Sequence, residues 1–333
     1  MTTRRAPESG LTALRRRAVS AITPGASLAF VLIGFAASGG CLLPATALAC
    51  SGKIYLTFDT GSMSQAALIA ATLQRFNAKA AFFLANEKTV NGDMSLDPGW
   101  APYWRQLAAQ GHLFGSHTLD HITVQRDLAG GAIEVKPGFG AQAGQRQQLS
   151  SAAYCSQLRA VDQRFRQLTG RALDPLWRAP GGHLSANALA AAKQCGFQHV
   201  GWAAAGFSGD ELPSERYPNP QLLAKSLREL KNGDIFMAHL GIWSRKDAWA
   251  PANLSALLDG LQRKGFCFAS LREHPQYAAW LASASAGTGA DGNANTNTNA
   301  DGNALANAPV AGSARVPAPV PSVAHPSSSA KRH

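Results

Sequence analysis

The sequence predicts one α/β domain whose parallel strands curl into a closed or nearly closed barrel. Three observations predict it. Short apolar runs alternate with stretches whose apolar residues recur at helical spacing, through about seven repeats. Most connections between them are short, which implies a parallel sheet covered by helices. The polar residues that stand out fall just beyond the strands, where barrels of this kind place their active sites.

In order, residues 54–58 read as a buried strand and 65–76 as an amphipathic helix. Strand 80–84 and helix 101–110 follow, then strand 112–115, which leads into Ser116-His117-Thr118-Leu119-Asp120-His121. Residues 122–150 hold Gly130-Gly131, Pro137-Gly138 and several Gln, and read as a long irregular excursion. Such a loop inside a compact domain is usually functional or mobile. Helix 152–168 stops at Gly170, a natural helix end. Strand 176–178, helix 186–194, strand 199–202, helix 220–230, strand 234–238, helix 253–264 and strand 266–270 complete the series.

Both ends fall outside this pattern. Residues 1–25 carry five arginines against Glu8, and an apolar run closes with Ala47-Leu48-Ala49. Basic, apolar and small-residue zones in that order describe a secretory signal peptide, residues 1–49, cut after Ala49. An uncleaved membrane anchor is the alternative, since the run nearly suffices to span a bilayer. Gly39, Gly40 and Pro44 interrupt it and favour cleavage. A lipoprotein starting at Cys50 is a third reading, against which Ala47 is a poor match for the bulky aliphatic residue such sites carry. Residues 283–333 are Ala, Gly, Asn, Thr, Ser and Pro with almost no large apolar side chains, so disorder is expected there. Residues 50–282 remain as a single domain, exported to the periplasm or beyond.

The formal charge of +11 is concentrated partly in those ends, with a net +4 in the leader and +1 in the tail, leaving about +6 on the domain. No Lys/Arg cluster is interleaved with aromatics, which argues against nucleic-acid binding. No segment implies a stable protein partner. Four cysteines lie in the domain, and an even count in an exported protein suggests disulfides. Cys155–Cys195 would join two successive helices, and Cys50–Cys267 the first and last strands. Free buried thiols are the alternative.

Two histidines four residues apart, His117 and His121, can direct both imidazoles at one divalent cation. Alone the pair is weak evidence, because such spacings arise by chance. Other chemistry-bearing residues also follow strands: Asp59 after the first, Arg178 at 176–178, Asp210 beyond Trp202 and His239 after Ala238. Singly, each has an ordinary explanation as a helix cap, a structural ion pair, a loop acid or a core histidine. Together, at successive strand ends, they are not what random surface polars would give, and their types suit proton-transfer chemistry. A carboxylate can take a proton from water, and an imidazole can protonate a leaving amine. A guanidinium can hold the carboxylate bidentately and keep it ionised. A nearby backbone N–H, such as that following Thr60, could stabilise an oxyanion. His112, His183, His199 and His274 read as structural. Trp177, Trp202 and Trp243 lie beside these residues and would either stack on a ligand or pack the barrel.

Thr57-Phe58-Asp59-Thr60-Gly61, Ser116-His117-x-x-x-His121, Arg178-Ala179-Pro180-Gly181-Gly182 and Ile235-Phe236-Met237-Ala238-His239, in that order, resemble the motifs of the polysaccharide deacetylase family. This is the NodB-homology fold, or carbohydrate esterase family 4. The resemblance covers essentially all of residues 53–271. It implies a distorted (β/α) barrel and a divalent metal, most commonly zinc, with cobalt or nickel as alternatives. It also implies removal of an N-acetyl group from an amino sugar within a polysaccharide or oligosaccharide. By position, Asp59 matches the general base, His239 the general acid and Arg178 the residue that holds the base. His117 and His121 match metal ligands.

Two positions depart from the family pattern. Thr60 stands where a second aspartate usually supplies the third protein ligand, so Thr60 would serve weakly or through water. The acidic-aromatic motif after Trp202 is replaced by 203–211, where Asp210 could still orient His239. Loss of a metal carboxylate also leaves open a non-catalytic carbohydrate-binding module on the same fold.

Overall fold

The structure is a computed structural model, and it describes residues 50–287. The leader assigned to 1–49 and the tail from residue 288 onward lie outside the described residues. Among the described residues no helix is long and apolar enough to cross a membrane.

The chain runs β1 (Gly52–Asp59), α1 (Ala66–Arg75), β2 (Ala80–Leu84), α2 (Ala101–Ala109), β3 (Leu113–Ser116), β4 (Ile122–Asp127), β5 (Ile133–Pro137), β6 (Gln147–Leu149) and α3 (Ser151–Thr169). It continues β7 (Leu176–Trp177), α4 (Ala186–Gln194), β8 (Gln198–His199), α5 (Asn219–Glu229), β9 (Ile235–His239), α6 (Trp249–Arg263), β10 (Phe266–Phe268) and α7 (Ala278–Gly287). The main sheet is parallel, and β1 is its axis. From β1 it runs through β2, β3 and β7 to β8, while β9 also pairs with β1 and β10 joins the start of β1. Beyond β9, Ala203 N–H and Ser208 N–H donate to Ile235 O and Met237 O at 3.1 Å each, so the segment after β8 runs along that edge. The result is the distorted barrel expected from the sequence.

Period-two alternation assigns the two faces of each strand. Ile54, Leu56 and Phe58 pack with helix residues such as Ile69, Leu73 and Leu254. Tyr55 faces inward, in a cluster with Phe83, Leu176 and Val200. Thr57 and Asp59 share its phase and so point inside. In β9, Phe236 and Ala238 pack outward while His239 alternates inward. Asp59 and His239 are Cα partners across the β1–β9 ladder. The sheet register alone therefore brings two of the candidate residues together.

Residues 122–150 are not irregular. They form a three-stranded antiparallel sheet, β4-β5-β6, with a bulge between Val124 and Arg126. Ile122, Val124, Ile133 and Val135 are buried against Tyr154, Leu158 and Trp177. The period-two pattern Ile122-Thr123-Val124 and Ile133-Glu134-Val135, around Gly130-Gly131, was its signal. The β5 end returns to the histidine segment, where Gly138 N–H donates to Asp120 O at 3.0 Å. Helix α3 is capped by Ser150, whose Oγ accepts from Ala153 N–H at 3.2 Å, and stops at Gly170 in the left-handed conformation. Helix α7 extends to Gly287, past the boundary expected at Ala282. It is held by Trp280 Nε1–H, which donates to Pro175 O at 2.9 Å.

Both disulfides are present: Cys50–Cys267 and Cys155–Cys195, with Cα–Cα separations of 5.6 and 6.0 Å. Cys50–Cys267 closes a sequence separation of 217 residues and ties β1 to β10. Removing a disulfide from a long loop restores conformational freedom to the unfolded chain. Cys267→Ser, with Cys50→Ser to avoid a stray thiol, is expected to lower unfolding free energy by about 2–5 kcal/mol. Urea unfolding under non-reducing conditions measures this; an unchanged midpoint would show the bridge to be dispensable.

Candidate active site

Asp59, at the end of β1, is 3 % exposed. Arg178 Nη1–H donates to Asp59 Oδ1 at 2.8 Å. The guanidinium is itself fully buried, and its remaining bonds fix it in place. Nε–H donates to Val200 O at 3.1 Å, and Nη2–H to Thr57 Oγ1 at 2.8 Å and Gly201 O at 3.2 Å. Its plane lies over the Phe83 ring at 4.3 Å, with Trp202 5.4 Å away. The expected bidentate clamp is therefore a single bond. Thr57 takes the other arm because it occupies the same inward face two residues earlier, and its own hydroxyl donates to Phe236 O at 2.6 Å. Asp59 Oδ2 is left facing His117 Nε2 at 3.6 Å.

Burial pushes the Asp59 carboxyl upward, while Arg178, His117 and His239 pull it down more strongly, so its net displacement is below the usual carboxylate range. His117 is 1 % exposed, and burial lowers its pKa to about 4, so the imidazole is neutral near pH 7. Its Nδ1 lies 2.9 Å from Arg178 O. A carbonyl oxygen only accepts, so Nδ1 carries the proton and Nε2 keeps its lone pair. His121 packs edge-on against His117 with ring centroids 4.9 Å apart, and Phe139 flanks it at 6.2 Å.

The segment joining the two histidines is strained. Thr118 and His121 have φ of 60° and 48°, in the left-handed region that β-branched residues avoid. Thr118 is locked there by its hydroxyl, which donates to His117 O at 2.6 Å and accepts from Ile122 N–H at 2.8 Å. Such conformations cost about 1–3 kcal/mol each and persist where surrounding contacts fix them.

His239 sits opposite Asp59 and is partly buried. Its Nδ1 lies 3.0 Å from Asp210 Oδ1, and its backbone N–H donates to Asp210 Oδ2 at 2.7 Å. Asp210 is 4 % exposed and is held by the Ser208 hydroxyl at 2.9 Å. The substituted loop thus still delivers an acid to His239. Burial lowers the His239 pKa, but the charge and hydrogen bond of Asp210 outweigh it, and the imidazole is raised to about 10. With Nδ1 committed to Asp210, Nε2–H is the proton available for transfer. His239 borders a small cleft with Ser64, Gln65 and Gly241.

A pH dependence follows. A histidine whose pKa is raised on folding contributes stability that is complete below about 6.5 and lost as pH rises through its folded value. Activity that requires imidazolium at His239 is expected to fall on an alkaline limb near pH 10. Asp210→Asn removes the main counter-charge and leaves only Glu211 and Asp59 to oppose burial, so that limb should move down toward ordinary histidine values. The kcat/KM–pH profile of both proteins measures it. An alkaline limb unmoved in Asp210→Asn would remove His239–Asp210 from the acid role.

Thr60 is buried, and its Oγ1 accepts from Ala85 N–H at 3.1 Å. Its own proton goes to Glu87 Oε1, which also accepts from Gly61 N–H at 2.9 Å. The backbone N–H after Thr60 is therefore committed to Glu87, and the oxyanion role expected for it does not hold. Gly61 itself is required where it stands, with φ of 107° and Gly241 O only 2.3 Å from where a Cβ would lie. Sequence reasoning missed Glu87.

Trp177 is fully buried against Tyr154 and His199, so it packs the core. Trp202 is partly buried against the core, and Trp243 is 59 % exposed. His112 is a core residue whose Nδ1 accepts from Ala80 N–H at 3.0 Å.

Among the described residues no group of three or more His, Cys, Asp or Glu is arranged to hold a metal ion by itself. The donor chemistry nevertheless fits a divalent cation. His117 presents an Nε2 lone pair, a second imidazole lies beside it, and imidazole nitrogen suits zinc, cobalt and nickel. Oxygen donors complete such sites.

Residues 49–200 match the family model described as polysaccharide deacetylase. A chitooligosaccharide deacetylase from Azorhizobium caulinodans is 26 % identical over 229 residues, covering 66 % of this chain and 92 % of that protein. The solved family 4 acetyl xylan esterase from Clostridium thermocellum, in complex with a cobalt ion, shares the fold at a TM-score of 0.51 and 17 % identity, over 68 % of this chain and 90 % of that one. The Xyl-CE4 domain of a multidomain xylanase from the hindgut metagenome of Trinervitermes trinervoides superposes at 0.50 and 16 % identity, over 68 % and 91 %.

Proposed function

We propose that this chain, a member of the polysaccharide deacetylase family, is an exported, metal-dependent hydrolase that removes N-acetyl groups from amino sugars of an envelope or extracellular polysaccharide. One observation carries the reading. A buried, ionised carboxylate and a protonated imidazole face one another across adjacent strands, each held by a buried partner of opposite charge. A module that only bound sugar would have no use for that pairing, and its ionic groups would be costly to bury.

Asp59 Oδ2, the oxygen that Arg178 leaves alone, takes the proton of the attacking water. Arg178 keeps the carboxylate ionised and aimed. His239 Nε2–H delivers a proton to the departing amine, and Asp210 fixes the ring and its tautomer. The C–N bond breaks, water supplies the new acyl oxygen, and the products are acetate and a free amine. His117 and His121 would hold the divalent cation, zinc first. A bound cation lowers the pKa of water and polarises a carbonyl.

The chitooligosaccharide activity of the Azorhizobium relative supports N-acetylglucosamine oligomers as the substrate class to test first. The experiment is acetate release from such oligomers by the purified protein supplied with Zn2+ or Co2+. Acetate in step with new amine is the expected result. Sugar binding with no acetate from any N-acetylated polymer would replace the enzyme by a binding module.

A further inference from the structure

Glu87 is 8 % exposed and lies among neutral groups: its Oε1 accepts from Gly61 N–H at 2.9 Å and from the Thr60 hydroxyl. Among the described residues no Lys, Arg or His forms an ion pair with it. Buried charges in proteins are paired or coordinate metals, because desolvating an unpaired one is costly. A carboxylate placed this way lacks its positive partner.

Its position is fixed, not incidental. Just past β2, His117 N–H donates to Leu84 O at 2.7 Å and Asn86 N–H to Leu119 O at 2.8 Å, so this stretch is strapped to the histidine segment. Glu87 N–H donates to Ser95 Oγ at 3.1 Å, and the fully buried Ser95 hydroxyl donates to Ala85 O at 2.5 Å. On the other side the carboxylate grips both Thr60 and Gly61. Glu87 thus stands between the strand end that bears Asp59 and the segment that bears His117.

The hydroxyl of Thr60 has one proton and two lone pairs. The proton goes to Glu87, and Ala85 N–H occupies one lone pair. One lone pair remains. A hydroxyl that donates to a carboxylate becomes a more electron-rich donor toward a third group, because hydrogen bonds in a chain polarise one another. A neutral threonine alone is a poor substitute for aspartate. A threonine backed by a carboxylate restores both the oxygen and the charge.

We propose that Thr60 and Glu87 act together as the third anchor of the divalent-cation site, with Thr60 Oγ as the contact and Glu87 as the source of negative charge behind it. The inference rests on the reading that His117 and His121 hold a divalent cation. It differs from a plain loss of the family ligand at position 60. There the site would be short of one charge; here the charge arrives through one hydrogen bond from a residue 27 positions later.

The test is a titration of the chelator-stripped full-length protein with Zn2+ against a chromophoric competitor, repeated with Co2+ for its visible spectrum. Glu87→Gln keeps size and hydrogen-bonding capacity while removing the charge. It is expected to weaken cation affinity by about 10- to 100-fold, the range for partners behind metal ligands. Far-UV circular dichroism and the thermal midpoint of the stripped protein report folding separately. The sharper readout is a cycle with Thr60→Asp. In the Glu87→Gln background Thr60→Asp should restore at least wild-type affinity. In the wild-type background its gain should be smaller, because two carboxylates then face each other with no donor proton between them. Wild type that binds no cation, or His117→Ala that binds as tightly as wild type, would overturn the parent reading and this inference with it. Wild type that binds and His117→Ala that does not, combined with unchanged affinity in Glu87→Gln or equal gains from Thr60→Asp in both backgrounds, would overturn the Thr60–Glu87 anchor alone.

Discussion

Asp59→Asn is expected to cut kcat for acetate release by about 10²–10⁴-fold, the usual worth of a positioned proton acceptor. The substitution is nearly isosteric. Asn can present its carbonyl oxygen to Arg178 Nη1, so the hydrogen bond at Oδ1 survives in form. It cannot take a proton from water. Cation affinity should change little by comparison, because His117 and His121 are untouched, and that split separates the base from the ligands. His117→Ala should lose both activity and cation together. Stability should fall as well, by about 3 kcal/mol, since the fully buried guanidinium loses its counter-charge, although it keeps Thr57, Val200 and Gly201 as acceptors. Steady-state kinetics with KM and kcat resolved is the measurement. A variant within tenfold of wild type would remove Asp59 from the base role.

Arg178→Met is expected to be the most destabilising single change at the site, by about 3–5 kcal/mol. The side chain is fully buried and makes four hydrogen bonds. Methionine fills much of the volume, so the loss is chiefly electrostatic. It strands the Asp59 carboxylate, 3 % exposed, without its main partner, and leaves the Val200 and Gly201 carbonyls unpaired inside the barrel. Removing the charge from Asp59 as well should recover part of the loss, so Asp59→Asn/Arg178→Met should be more stable than Arg178→Met alone. Urea unfolding of the three proteins gives the coupling energy. A loss under about 1 kcal/mol for Arg178→Met would show that the pair is screened as surface pairs are.

Much of this was legible in the sequence because the barrel is built from local patterns. Short apolar runs located β1, β2 and β9, and placed Asp59 and His239 at strand ends. The Gly170 stop was marked directly, and the two bridges are the pairings that the element order suggested among three connectivities. Three features were less accessible. The β4-β5-β6 sheet was obscured by its glycine- and glutamine-rich connections, although its short Ile-x-Val runs alternate as strands do. The arm of Arg178 that goes to Thr57 depends on the depth at which the guanidinium sits, which spacing does not reveal. Glu87 lies in Ala85-Asn86-Glu87-Lys88-Thr89, a stretch without motif or periodicity. Its meeting with Thr60 depends on β2 lying beside β1, with Phe83 in register with Asp59. A rule that inspects the residues just past each strand next to a missing ligand would have found it.

In the proposed function, two imidazoles, a base and an acid at these strand ends make a cation-dependent deacetylase. The most direct measurement strips the purified protein with a chelator, then follows acetate release from N-acetylglucosamine oligomers while Zn2+ is returned. Loss of activity on stripping is expected, with recovery that saturates at about one equivalent of cation and no recovery in His117→Ala. Acetate release that is indifferent to stripping, or recovery in His117→Ala equal to that of wild type, would contradict it.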